Sequence, residues 1–284
     1  MEFRILGPLE VLGEAGPVGL GGPKQRALLA FLLLNANEVV SSDRLIDALW
    51  EEEPPATARK ALQLYVSRLR KLLGRECLQT VAAGYVLRVG ADELDLERFV
   101  RLREQGRLRE ALSLWRGPAL CDLAYQRFAQ GEIARLNEAR LVCVEEQNER
   151  ELASGRHGEL VGELEALVDQ YPLRERLRAQ LMLSLYRSGR QAEALEAYRA
   201  ARRALVEELG IEPGRTLRDL HQAILSQDRE LDVVRTDEGA RGPEPADRGF
   251  VGRDEELSEL RGGLDGALLG RGAVFLIGGS PGVG

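Results

Sequence analysis

Pro55-Ala56-Thr57-Ala58-Arg59-Lys60-Ala61-Leu62-Gln63-Leu64-Tyr65-Val66-Ser67-Arg68-Leu69-Arg70-Lys71-Leu72-Leu73-Gly74-Arg75 holds six basic residues and no acid, in a chain whose formal net charge is −7. Wound at about 100° per residue, it gathers Ala58, Ala61, Leu62, Tyr65, Val66, Leu69, Leu72 and Leu73 on one arc. Arg59, Lys60, Gln63, Ser67, Arg68, Arg70 and Lys71 fill the other, interrupted only by Leu64. One face is built for burial and the other for negative charge, a composition that suits a helix lying on duplex DNA. An ordinary amphipathic helix with a solvated basic face is the alternative this segment alone leaves open. Thr57 is the expected N-cap. Arg59 and Lys60 in the first turn then oppose the helix macrodipole, a penalty that a phosphate beside the helix start would reverse.

The neighbours shift the balance. Phe3, Ile5, Gly7, Leu9 and Val11 alternate as one half-buried strand, and Val18-Gly19-Leu20 can return as a second. Gly21-Gly22-Pro23 opens a helix at about residues 24–35 that is apolar nearly all round, which belongs at the centre of a small core. Ser41-Ser42-Asp43 supplies capping chemistry for a helix ending near Trp50, and Pro54-Pro55 breaks the chain before the basic helix. Two strand-like runs follow at 77–81 and 85–89, joined by Ala82-Ala83-Gly84. Strands, three helices and a terminal hairpin make a winged helix-turn-helix over residues 1–92.

From 93 to 231 the pattern is helical, with helices expected near 126–154, 159–170, 173–187 and 191–209. Gly106-Arg107, Gly155-Arg156 and Gly189-Arg190 each precede a Glu-containing apolar run, and the last two glycines are 34 residues apart, the period of tetratricopeptide helix pairs. Such arrays bury one face by stacking and leave a groove for a partner; a plain helical bundle is the alternative. Tyr171-Pro172 marks a helix stop, and Glu145-Glu146 reads as part of a solvated helix face. Residues 232–248 are polar and rich in Gly and Pro, the composition of a linker. Beyond it, 249–284 reads as the truncated start of a P-loop ATPase domain, in which Ala273-Val274-Phe275-Leu276-Ile277 feeds a phosphate-cradling loop with candidate residues Gly279, Ser280, Gly282 and Gly284. The Lys and hydroxyl residue that would hold phosphate and magnesium are not in these residues. The expectation is the front of a longer protein, with no cofactor here and ATP and magnesium only for the longer form.

Cys77, Cys121 and Cys143 are odd in number and far apart, which gives no disulfide framework, and two histidines give little for zinc. Met1-Glu2-Phe3-Arg4 opens directly into a strand pattern without signal-peptide character, and the longest apolar run, 27–34, is too short to span a bilayer. A cytoplasmic protein without a membrane partner and without a nucleophile–base–acid set is expected, so not an enzyme.

The order Gly21-Gly22-Pro23-Lys24-Gln25-Arg26-Ala27-Leu28-Leu29-Ala30, Val39-Val40-Ser41, Leu45-Ile46-Asp47-Ala48-Leu49-Trp50 and Tyr65-Val66-Ser67-Arg68-Leu69-Arg70-Lys71-Leu72-Leu73 resembles the Streptomyces antibiotic regulatory protein (SARP) family. Its N-terminal domain is an OmpR-like winged helix. Tyr186-Arg187-Ser188-Gly189-Arg190-Gln191-Ala192-Glu193-Ala194-Leu195 and Glu207-Glu208-Leu209-Gly210-Ile211-Glu212-Pro213-Gly214 resemble the bacterial transcriptional activation domain that follows. Phe250-Val251-Gly252-Arg253 and the glycine loop resemble the opening of the STAND-type ATPase of large, AfsR-like members. The resemblance implies an activator of secondary-metabolite genes that binds direct repeats in promoter DNA, two copies side by side, and recruits RNA polymerase holoenzyme. A protein-interaction scaffold and the regulatory front of a nucleotide-hydrolysing switch are the competing readings. Carried onto this chain, Arg59, Lys60, Gln63, Leu64, Ser67, Arg68, Arg70 and Lys71 would meet DNA. Gln63 would read an adenine edge, Leu64 a thymine methyl, and the others mostly phosphates. Thr80 and Tyr85 would stand at the base of the wing, whose tip, Val81-Ala82-Ala83-Gly84, lacks the Arg of many relatives.

Overall fold

The computed structural model describes residues 1–51 and 53–232. The linker expected at 232–248, but for Asp232, and the loop carrying Gly279, Ser280, Gly282 and Gly284 lie outside them. Strands β1 (Glu2–Arg4), β2 (Glu10–Gly13) and β3 (Gly16–Pro17) form an antiparallel sheet in that order, with Phe3 opposite Val11. The alternating run at 3–11 is therefore a hairpin and not one strand. Gly7, at φ +152°, and Pro8 turn the chain in its middle, while Phe3, Ile5, Leu9 and Val11 all stay buried. The return strand is Gly16–Pro17 and not 18–20, although Val18 N–H still bonds the Val11 carbonyl at 2.9 Å.

Helix α1 (Pro23–Leu34) buries residues on every side, from Gln25 to Leu33, as its composition predicts. Around it pack β4 (Val40–Ser41), α2 (Ser42–Trp50), α3 (Ala58–Leu73) and the hairpin β5 (Leu78–Val81) and β6 (Gly84–Leu87). The second sheet runs β4-β6-β5, and β4 is a strand that sequence patterning did not mark. Two residues are too short a run to show a period.

The helical part comprises α4 (Asp95–Glu104), α5 (Leu108–Ser113), α6 (Arg127–Ala153), α7 (His157–Gln170), α8 (Glu175–Arg187), α9 (Gln191–Leu209) and α10 (Arg215–Ser226). Each Gly-Arg pair closes one helix in the same way. Gly106, Gly155 and Gly189 take φ of +72°, +78° and +77°. The N–H groups of Arg107, Arg156 and Arg190 reach back to the carbonyls of Leu102, Glu151 and Leu185 at 2.8, 3.0 and 2.9 Å. This is the Schellman closure, which needs a left-handed residue and therefore favours glycine. Helix pairs α6–α7 and α8–α9 repeat at the 34-residue period, and α10, absent from the sequence reading, covers α8 with Leu217 and Ile224 buried. Among the described residues no helix is long and apolar enough to cross a membrane.

The spacing from Gly106 to Gly155 is longer, because residues 114–126 cross back to the N-terminal hairpin. There Arg116 N–H bonds the Leu6 carbonyl at 2.8 Å, and Leu120 N–H bonds the Ile5 carbonyl at 3.1 Å. Leu9 N–H donates to Asp122 at 2.9 Å, and Arg26 pairs with the same carboxylate. From the other side Asp95, 2% exposed, accepts from the N–H groups of Ile5 and Leu6 at 2.9 Å. Burial pushes the Asp95 carboxyl above the usual range, outweighing those two donors and Arg116. Leu94, Leu120 and Leu123 complete the same apolar core as α1 and α3.

Glu145 and Glu146 do not form a solvated face. Helix α6 is packed by α5 on one side and α8 on another, and both faces claim its acidic pair. Glu145 is 0% exposed and held by Arg174 Nε at 2.7 Å and Arg176 Nη1 at 3.3 Å, while Glu146 is gripped by Arg103 at 2.7 Å. Paired this way, the buried charge is tolerated; stripping one partner would cost about 3–5 kcal/mol.

Replacing Asp95 with alanine orphans two buried N–H groups, each worth about 1–3 kcal/mol. Urea unfolding of Asp95→Ala should show a loss in that combined range, with Asp95→Asn, which keeps one acceptor oxygen, between it and the wild type.

Candidate nucleic-acid interface

Helix α3 buries Ala58, Leu62, Val66, Leu69 and Leu73 against α1 and α2. The four larger side chains stabilise the arrangement by roughly 1.5–3 kcal/mol each. Trp50 at the end of α2 stacks on Tyr65 at 6.2 Å and 18°, setting the two helices of the turn against each other. Ser41 caps α2 as expected, accepting from Arg44 N–H at 3.2 Å. Thr57 does not cap α3. Its backbone (φ −94°, ψ 7°) has left the extended region that capping requires, its side chain accepts no helix amide, and Ala58 N–H bonds the Pro55 carbonyl.

The cations near that start meet one local anion: Arg59 Nη2 lies 2.7 Å from Asp43 in the first turn of α2. Both side chains are about three-quarters exposed (75% and 74%), so in water the pair contributes at most about 1 kcal/mol. Lys60, Gln63, Leu64, Ser67, Arg68 and Lys71 are all exposed, Leu64 at 49%. Among the described residues no carboxylate pairs with Lys60, Arg68, Lys71 or Arg75. That contrasts with the helical part, where arginine after arginine is neutralised, as in Arg107–Glu110, Arg190–Glu193 and Arg202–Glu212.

Beside α3 the β5–β6 hairpin rises as the wing. A groove of about 860 Å³ separates them, walled by Gln63, Ser67, Lys71 and Arg75 on one side and Gln79 and Thr80 on the other. Arg75, one of the six basic residues of the stretch, and Gln79 are not among the contacts expected from the sequence. The turn at Gly74 (φ +94°) brings them back along the helix, and no local pattern announces that. Arg70 and Tyr85 occupy different positions from the rest of the set. Arg70 Nε donates to the Leu78 carbonyl at 2.8 Å and Nη2 to Thr80 Oγ1 at 2.5 Å, and its guanidinium lies 6.0 Å from the Tyr85 ring centroid. Tyr85 is only 8% exposed and packs into the core. The wing tip exposes Ala82 and Ala83 and carries no cation.

A winged helix with an open cationic helix face, joined to a stacked helical array, defines a DNA-binding regulator class, and the comparisons with known proteins agree. Residues 18–87 match the family described as transcriptional regulatory protein, C terminal, and residues 90–225 match the bacterial transcriptional activator domain. The chain is 41% identical over 247 residues to transcriptional regulatory protein EmbR of Mycobacterium tuberculosis, covering 80% of this chain and 64% of EmbR. It is 39% identical over 248 residues to transcriptional regulatory protein MoaR1 of the same species, covering 80% of each. To regulatory protein AfsR of Streptomyces griseus it is 39% identical over 304 residues, covering 98% of this chain and 31% of AfsR. The solved structure of M. tuberculosis EmbR in complex with a low-affinity phosphopeptide superposes with a TM-score of 0.74 at 42% identity, over 80% of this chain and 65% of that one. The chain belongs to the SARP family of transcriptional activators. It spans less than two-thirds of the length of EmbR.

Gly84, where β6 begins, has φ +154°, and a Cβ there would fall 2.0 Å from the Val40 carbonyl oxygen. Gly84→Ala should therefore pull β6 from β4 and cost more than about 1 kcal/mol in urea unfolding. Gly74→Ala, with open space around its Cβ, should suffer from its φ alone.

Proposed function

We propose that this chain is a sequence-specific DNA-binding transcriptional activator that inserts α3 into the major groove of promoter DNA. The single observation that carries the reading is the row of exposed cations on α3 without carboxylate partners. Sixteen residues at about 1.5 Å rise give a rod that fits a major groove about 12 Å wide. Lys60, Arg68 and Lys71 clamp phosphates, joined by Arg59 once it trades Asp43 for DNA. Gln63 and Leu64, exposed at the middle of the same face, read an adenine edge and a thymine methyl, and Ser67 bonds backbone or base. Arg75, Gln79 and Thr80 line the slot beside the wing. Tyr85 supports the hairpin from within.

In this reading residues 1–92 bind DNA and residues 93–231 carry the activating surface that engages RNA polymerase holoenzyme. Two copies lie head to tail on direct repeats, in the cytoplasm, at secondary-metabolite genes. Membership of the SARP family supports the regulatory role and the choice of genes.

The test is a salt titration of binding by fluorescence anisotropy, on a duplex that the wild-type chain recovers from a random-sequence pool. Changing Lys60, Arg68 and Lys71 together to alanine should reduce the slope of log K against log salt by about three units while thermal unfolding stays unchanged. An unchanged slope, or a wild-type chain that recovers no duplex, would defeat the assignment.

A further inference from the structure

Resting on that reading, we propose that Arg70 is a positioning residue that locks the wing to the recognition helix and turns the Thr80 hydroxyl into a donor, and is not itself a phosphate ligand. Arg70 lies in the last turn of α3 with its guanidinium spent on the protein. Nε and Nη2 engage Leu78 and Thr80, two residues apart on β5, at 2.8 and 2.5 Å. The ring facing it belongs to Tyr85, which is paired with Thr80 across the hairpin and with Val40 on its other side. One planar fork thus touches both strands of the wing from a helix that the core holds still.

Lys71, Arg68 and Lys60, on the same helix, carry no such contacts. The difference sorts the basic face into charges that are open to DNA and one that is committed to shape. A lysine at 70 would keep the charge and lose the fork, because an ammonium group cannot place two donors in a fixed plane. The Thr80 hydroxyl, once it accepts from Arg70, has its own hydrogen left to donate across the groove, where a phosphate oxygen is the matching acceptor. Arg70 thereby acts through Thr80 and through the groove width.

The full chain carrying Arg70→Ala, Arg70→Lys, Thr80→Val or Lys71→Ala is titrated with salt on the recovered duplex, with hydroxyl-radical footprinting of each complex. Lys71→Ala should flatten the salt slope by about one unit. Arg70→Ala should keep the wild-type slope, bind about tenfold more weakly at every salt concentration, and lose protection only at the wing edge of the footprint. Arg70→Lys should fail to restore that protection. Thr80→Val, which removes the acceptor and leaves every charge in place, should lose the same protected edge. Should Arg70→Ala prove unfolded, Thr80→Val and Arg70→Lys carry the same comparison. A slope reduced by about one unit in Arg70→Ala and restored in Arg70→Lys would make Arg70 a phosphate ligand, overturning this inference and leaving the DNA assignment intact. Unaltered slopes in Lys71→Ala and in the triple variant would overturn both.

Discussion

A buried carboxylate with two backbone amides converging on it holds this molecule's halves together. Asp95 opens α4, where the helix start already favours a negative group, and reaches Ile5 and Leu6 in the turn of the N-terminal hairpin. That turn has no ladder partner of its own for these amides, so without Asp95 they would be unpaired in a dry interior. The crossing segment answers from the opposite side with Arg116, Leu120 and Asp122. The hairpin is thus neither a free-standing sheet nor an ornament of the winged helix. It is the joint, and the core that supports α3 is closed only when Leu120 and Leu123 arrive from the helical part.

With that joint made, α3 can afford an outer face that does nothing for stability. Its inner residues are packed, its outer cations are left unpaired, and the Arg59–Asp43 contact is too exposed to bind the first of them firmly. In the helical part many arginines are absorbed into the fold, and the Glu145 carboxylate is held by two of them. The net negative charge of the chain and the open cationic face of α3 are two sides of this division of labour.

What could be read from the chain alone was whatever is decided within a few residues. The apolar circumference of α1, the Ser41 cap, the two faces of α3 and the left-handed glycines of the Gly-Arg turns all follow from local pattern and steric rules. What could not be read depends on distant partners. The 3–11 run keeps its alternation through Gly7 and Pro8, so a hairpin imitates a strand. Strand β4 exists because β6 lies beside it. The stretch that forms α10 has an apolar face, but Gly210 and Pro213 suggest an ending. Glu145 carries no sign of the arginines that arrive 29 and 31 residues later. The same holds within the interface: charge and helical period place Arg70 among the outward cations, and only the returning hairpin reveals that its fork is engaged. Thr57 has a capping side chain on a backbone that does not permit capping.

The crossing of residues 114–126 also has a geometric corollary. Because it ties the hairpin to the helical array by main-chain bonds at Leu6 and Ile5, the array cannot swivel about a flexible neck. On the proposed docking, the direction in which it projects is then dictated by where α3 enters the duplex. On that docking, sliding the site by about five base pairs, half a turn of the double helix, would carry the array to the far side of the DNA, and promoter phasing would follow from the fold.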